Sequence, residues 1–208
     1  MRVRSNRRKH GIAYHDGHFV AVGGAGIARS DDGGVNWATV LTYPSTNSPI
    51  SIAYGNKWVA VGGATSSPEI GYSDDDGATW YPASNFSCFG AARILFIIYS
   101  ERDDRFIAGS SNGEIGYSTN GITWSPLASN VFGTGSAVND IAYGGGRYVA
   151  VGDGGETACS IDGTTWTVLD QDPGAFSAYD PIASITYNGS RFVAAGRYGT
   201  ICYMDFLP

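Results

Sequence analysis

The sequence predicts an all-β fold, a five-bladed β-propeller with four antiparallel strands per blade. Three observations carry the prediction: a strand ending in Tyr that recurs five times, a composition rich in Gly and aromatics, and a turn of one type that closes four of the repeats. Thirty Gly, 13 Tyr, 9 Phe and 5 Trp in 208 residues, with charged residues at only 15%, describe a turn-rich β protein rather than a helical one. That length suits one domain spanning residues 1–208.

The recurring first strands are Gly11-Ile12-Ala13-Tyr14, Ser51-Ile52-Ala53-Tyr54, Phe96-Ile97-Ile98-Tyr99, Asp140-Ile141-Ala142-Tyr143 and Ser184-Ile185-Thr186-Tyr187, with their tyrosines 40, 45, 44 and 44 residues apart. A short polar turn follows each, rich in the Gly, Asn and Asp that tolerate positive φ. Second strands come next, such as His18-Phe19-Val20-Ala21-Val22 and Lys57-Trp58-Val59-Ala60-Val61, with an aromatic and an Ala at fixed places. Third strands carry a small residue at one position, Ala28, Gly71, Gly116, Ala158 or Cys202, as close approach between packed sheets requires. Repeats of about 40–45 residues with four short strands each are the pattern of radially arranged blades.

Four repeats continue into a serine-to-tryptophan turn. Ser30, Asp32, Gly34 and Trp37 mark the first, and Ser73, Asp75, Gly77 and Trp80 the second. Two shorter copies follow, with Ser118, Asn120, Gly121 and Trp124, then Ser160, Asp162, Gly163 and Trp166. The Asp or Asn side chain accepts from turn N–H groups, Gly makes the bend and Trp packs between sheets. The motif resembles the Asp-box, or bacterial neuraminidase repeat, of β-propeller proteins. Its carboxylates each belong to a separate blade, so they read as turn-makers rather than as a metal or catalytic centre.

The expected blades cover 11–40, 50–84, 94–128, 139–170 and 183–208, the last completed by residues 1–10. The fifth repeat has Met204 where Ser is expected and ends without a fourth strand. Pairing of Arg2–Ser5 with the Gly199–Tyr203 strand would close the ring.

A net charge of -6 repels phosphate backbones and anionic membranes, so nucleic acid and membrane insertion are not expected. Arg2, Arg4, Arg7, Arg8 and Lys9 are the exception, a basic arm read as a closing element or a clamp on an acidic partner. No apolar stretch follows that arm, so no signal peptide or membrane span is expected, and the chain reads as soluble. Cys88, Cys159 and Cys202 lack CxxC spacing and read as reduced, packed thiols rather than zinc ligands. His10, His15 and His18 read as solvent-exposed turn residues. No metal and no cofactor are expected.

The long interblade loops carry aromatics outside the repeat: Tyr43, Phe86, Phe89, Phe132, Phe176 and Tyr179. Asp153, Arg197 and Tyr198 join them from shorter connections on the same expected face. Irregular aromatic loops on a rigid scaffold are candidate ligand contacts, although a loop Phe also serves as a plug over the core. Sialidases resembling the repeat use an arginine triad, a Tyr–Glu pair and an Asp acid on a larger scaffold. Only Arg93 and Arg197 are placed to serve here, and Glu69, Glu114 and Glu156 occupy equivalent repeat positions. No catalytic residues are therefore assigned.

The cadence of the repeats looks like propeller domains of bacteriophage tail, fibre and virion-surface proteins. That resemblance implies a non-enzymatic binding or structural protein, on a virion or extracellular surface, attached to other virion or surface proteins or to host-surface glycan and able to oligomerise through assembly. The alternatives are a tachylectin-like sugar-binding lectin and, less favoured, a sialidase-like glycoside hydrolase. An assembly factor resembling the propellers of photosystem II biogenesis is disfavoured by the acidic balance.

Overall fold

The computed structural model describes residues 9–24, 26–41, 48–64, 67–128, 130–133, 135–169, 180–196 and 199–205. These form nineteen strands in five antiparallel sheets, each following chain order. The first sheet is β1 (Lys9–His15), β2 (His18–Gly23), β3 (Gly26–Ser30) and β4 (Ala38–Leu41). The second is β5 (Pro49–Tyr54), β6 (Trp58–Ala64), β7 (Ser67–Ser73) and β8 (Tyr81–Pro82); the third is β9 (Ile94–Ser100), β10 (Arg105–Ser110), β11 (Ile115–Ser118) and β12 (Ser125–Ala128). The fourth is β13 (Val138–Gly144), β14 (Arg147–Gly152), β15 (Thr157–Ser160) and β16 (Thr167–Val168). The fifth, β17 (Ile182–Tyr187), β18 (Phe192–Gly196) and β19 (Ile201–Met204), has three strands among the described residues. The expected pairing of Arg2–Ser5 with the last strand lies outside the described residues.

The repeat residues earn their places through register. Across the first hairpins Tyr14 faces Phe19, Tyr54 faces Trp58, Tyr143 faces Tyr148 and Tyr187 faces Phe192. Their ring centroids lie 4.7, 5.0, 4.7 and 4.8 Å apart, within the contact range in which aromatic pairs add stability beyond area burial. One layer further along, Ile, Ala and a small residue line up: Ile12–Ala21–Ala28, Ile52–Ala60–Gly71, Ile141–Ala150–Ala158 and Ile185–Ala194–Cys202. The narrow end of this row leaves room for a neighbouring sheet to approach. An irregularity in pairing recurs two residues before the Ile, at Lys9/Gly11, Pro49/Ser51, Val138/Asp140 and Ile182/Ser184. It sets the strand starts one or two residues earlier than the alternation alone suggests.

The chain divides into two compact units, Met1–Ala108 with Tyr117–Ser125, and Gly109–Gly116 with Pro126–Pro208. In the first, Val20, Val22 and Ile27 pack against Ile52, Trp58 and Ala60. A second cluster there joins Val59, Val61 and Ile70 to Ile97, Phe106 and Trp124. In the second unit Val149 and Val151 pack against Ile185, Phe192 and Ala194, with Cys159 and Cys202 at the margin. Fully burying such a side chain contributes about 1.5–3 kcal/mol, so each sheet-on-sheet contact stabilises its unit strongly. No helix among the described residues is long and apolar enough to cross a membrane.

Candidate functional site

The four serine-to-tryptophan turns are self-contained hydrogen-bond units. In the first, Ser30 Oγ donates to Asp32 (2.9 Å), while the N–H groups of Val35 and Asn36 donate to the same carboxylate oxygen (3.1 and 2.8 Å). Asp75 accepts from Thr79 N–H (2.8 Å) and Thr79 Oγ1 (2.6 Å), and Asp162 from the N–H groups of Thr164 and Thr165 (both 2.7 Å). Asn120 does the same with Ile122 and Thr123. The backbone bonds hold the Asp32 and Asp162 carboxyls below the usual range. Partial desolvation works against this at Asp75, but the Thr79 bonds outweigh it.

Trp37, Trp80 and Trp166 each donate Nε1–H to the carbonyl of their own turn glycine, Gly34, Gly77 or Gly163. Trp124 is instead buried at 3% exposure beside Phe89, ring centroids 5.8 Å apart. The expected placement of Trp between sheets therefore applies most fully to Trp124, while the other three also cap their turns.

The first unit holds a groove of about 350 Å³ lined by Leu41, Glu69, Trp80, Tyr81, Pro82 and Phe86. Its outer wall is the short edge strand β8, where Tyr81 is 52% exposed. The loop that presents Phe86 is fastened by backbone bonds: Ala83 N–H to Ile70 O (2.8 Å), Ser84 N–H to Ile122 O (2.9 Å) and Trp124 N–H to Asn85 O (3.1 Å). A 3-10 turn at Ser87–Phe89 then drives Phe89 into the core at 0% exposure. Phe89 is thus the plug, while Phe86 of the same loop is half-buried at the edge of that cluster and lines the groove. A site wall held this way is pre-organised, so little ordering opposes ligand binding.

In the second unit the Phe132 ring lies against Gly152, the residue before Asp153. The Phe132 ring and the Glu156 carboxylate both crowd Gly152. Glu156 accepts from Gly154 N–H (2.6 Å) and Ser136 Oγ (3.2 Å), and Asp153 accepts from Asn139 Nδ2 (2.9 Å), which also donates to Ile182 O (2.9 Å). These carboxylates orient the turn, and Asn139 clips the fourth sheet to the fifth. Glu114 is held in the same manner by Ser110 Oγ. Asp140 accepts from Ile185 N–H and Ser184 Oγ, both 2.9 Å, and burial pushes its carboxyl above the usual range.

Tyr43, Phe176, Tyr179, Arg197 and Tyr198 lie outside the described residues. His15 and His18 differ from expectation. His15 is half-buried, stacked on Tyr54, and His18 is half-buried between Asp31 and Arg29, 2.9 and 3.0 Å away. Among the described residues no three His, Cys, Asp or Glu side chains form a metal-binding group. Sequence reasoning did not single out Tyr81 or Asn139 as site residues. Tyr81 had one signal, an aromatic directly after the turn Trp80 at a strand start, and Asn139 had none.

No family profile matches the chain, and no curated protein is significantly similar to it. Solved structures do resemble it. A structure described as YCF48 bound to D1 peptide superposes with a TM-score of 0.73 at 18% identity, over 99% of this chain and 65% of that one. The WD40 β-propeller domain of Doa1 gives 0.65 at 13% identity, over 96% of this chain and 66% of that one. The chain has a β-propeller fold. An ancestral GH74 enzyme also superposes, TM-score 0.71 at 14% identity, over 95% of this chain and 33% of the enzyme. This propeller chain spans just under two thirds of the length of its YCF48 counterpart. At these identities the likeness concerns fold, and function rests on the site.

Proposed function

We propose that this chain is a non-enzymatic binding propeller that takes a segment of a partner protein in the groove of Leu41, Trp80, Tyr81 and Phe86. The fastened groove carries the reading. Its volume of about 350 Å³ is at the small end for ligand sites, room for one or two side chains of an extended segment. Its aromatic walls supply contact area at low entropic cost, and Glu69 supplies one polar group for orientation. The peptide complex among the similar structures supports a protein ligand. The local bonding of Asp153, Glu114 and Glu156 supports binding over hydrolysis, because each carboxylate already has a turn to hold. The setting we attach is the one the repeat resemblance implies, a virion, tail or cell-surface assembly.

Host-surface glycan is the second reading, favoured by the exposed Tyr81 ring, whose face suits the apolar side of a sugar. Selection from a displayed library of random peptides, counter-screened on Phe86→Ala, tests the first. Enriched peptides should bind the variant about tenfold more weakly, about 1.4 kcal/mol. Enrichment on a glycan array without any peptide would favour the second. Glycoside turnover lost in Asp153→Asn or Glu156→Gln would overturn both.

A further inference from the structure

The groove of the second sheet joins two chemistries that the first, third and fourth sheets do not combine. The residue after the turn tryptophan is Ala38, Ser125 and Thr167 in those three, and Tyr81 in the second. An equivalent repeat position carries Glu69, Glu114 and Glu156 in the second, third and fourth. Aromatic ring and carboxylate therefore coincide in the second sheet, where Glu69, Trp80, Tyr81 and Phe86 line one groove. All four belong to the first compact unit.

The edge beside the groove is closed to main-chain pairing. Pro82 has no N–H, Ala83 N–H is bonded to Ile70 O and Ser84 N–H to Ile122 O. Residues 82–84 thus have no N–H left for an added strand. A segment docked here is recognised by a side chain placed in the groove rather than by strand addition.

Resting on the reading of this groove as a peptide site, we propose that the side chain it takes is an arginine of the partner segment. A guanidinium is planar, stacks on aromatic faces and presents its donors in a fork that fits a carboxylate. An aliphatic side chain would meet the rings as well, but it would shut Glu69 away from water with no bond in return. A lysine ammonium is more strongly hydrated and does not stack. Glu69 can serve a ligand while bonded within the chain, as Glu114 and Glu156 are, because a carboxylate has about four acceptor positions. The first unit already seats cations on tyrosine rings. Lys57 Nζ lies 5.1 Å from the centre of Tyr72, which is itself 5.8 Å from Tyr81, and Arg105 Cζ lies 5.2 Å from the centre of Tyr117. A net charge of -6 favours the approach of a cationic segment.

The test uses peptides enriched from the displayed library, which should share one arginine. The strongest is synthesised with arginine and with citrulline, its uncharged isostere, and titrated calorimetrically. Citrulline should weaken binding to wild type roughly tenfold. Glu69→Gln should weaken the arginine form by a similar factor and leave the citrulline form unchanged. If Glu69→Gln lacks native circular dichroism, Tyr81→Leu at the exposed edge replaces it, and should weaken the arginine form more than the citrulline form. Enriched peptides that lose affinity in Phe86→Ala yet share no arginine, or bind equally well with citrulline, would overturn the arginine proposal and leave the peptide site standing. So would equal affinity of wild type and folded Glu69→Gln for the arginine form. No enrichment, or enriched peptides indifferent to Phe86→Ala, would overturn both.

Discussion

The ring of Tyr54 lies flat on the imidazole of His15, centroids 3.4 Å apart and planes 13° from parallel. His15 directly follows the tyrosine of the first sheet, and the same relationship recurs without the histidine: Tyr99 lies against Gly55 and Tyr187 against Gly144. The tyrosine that ends each of these first strands therefore covers the residue after the tyrosine of the sheet before it. Glycine there gives the ring a flat seat, and a methyl group would intrude on it. Gly144→Ala should cost about 1–3 kcal/mol through overpacking, read by urea denaturation. Adding Tyr187→Ala should make the combined loss smaller than the sum of the single losses. Additive losses would show that the ring and the glycine do not meet.

Phe86 and Phe89 should separate stability from binding. Phe89→Ala empties a core position and should cost about 3–5 kcal/mol. Phe86→Ala should cost clearly less, because that ring is only half-buried at the edge of the cluster and the loop is also fastened by backbone bonds. Equal destabilisation by the two would place Phe86 in the core as well.

The turn carboxylates set an acid limit. Hydrogen bonds hold Asp32, Asp75 and Asp162 below the ordinary value of 3.8 in the folded chain. Their stabilisation is complete well above 3.8 and is lost as the pH falls below it. The melting temperature should therefore drop steeply on acidification beneath pH 4 or so. Asp162→Asn, which keeps an acceptor but cannot titrate, should flatten part of that drop. An unchanged acid profile would mean that Asp162 contributes nothing to it.

Asp140 acts in the opposite sense. Burial raises its carboxyl in the folded chain, so its contribution is most favourable below the ordinary value and declines as the pH rises through the raised one. Asp140→Asn, which retains an acceptor for Ile185 N–H, should gain stability relative to wild type at neutral pH and lose that advantage on acidification. A constant difference between the two across pH would contradict this origin.

The fold was legible because its signals repeat. The Tyr, Ala and small-residue positions appear five times, so register could be read by comparing copies, and the pairing across four of the hairpins follows it. The strand starts shifted, at irregularities the alternation does not encode. The site was less legible because its residues do not repeat. Phe86 and Phe89 stand three apart in one loop, and a single 3-10 turn decides which one reaches the core. Glu69 and Trp80 looked like repeat furniture, although their position beside Tyr81 gives them a groove to line. His15 misled for a related reason: polar turn composition suggests exposure, whereas the neighbouring sheet supplies the ring that covers it.

Calorimetric titration of one library-selected peptide into wild type, Phe86→Ala and Phe132→Ala tests the binding account most directly. The account predicts saturable one-to-one binding to wild type, about tenfold weakening, about 1.4 kcal/mol, in Phe86→Ala, and unchanged affinity in Phe132→Ala, whose ring lies beside Gly152 outside the groove. Equal affinity for wild type and Phe86→Ala, or weakening confined to Phe132→Ala, would contradict it.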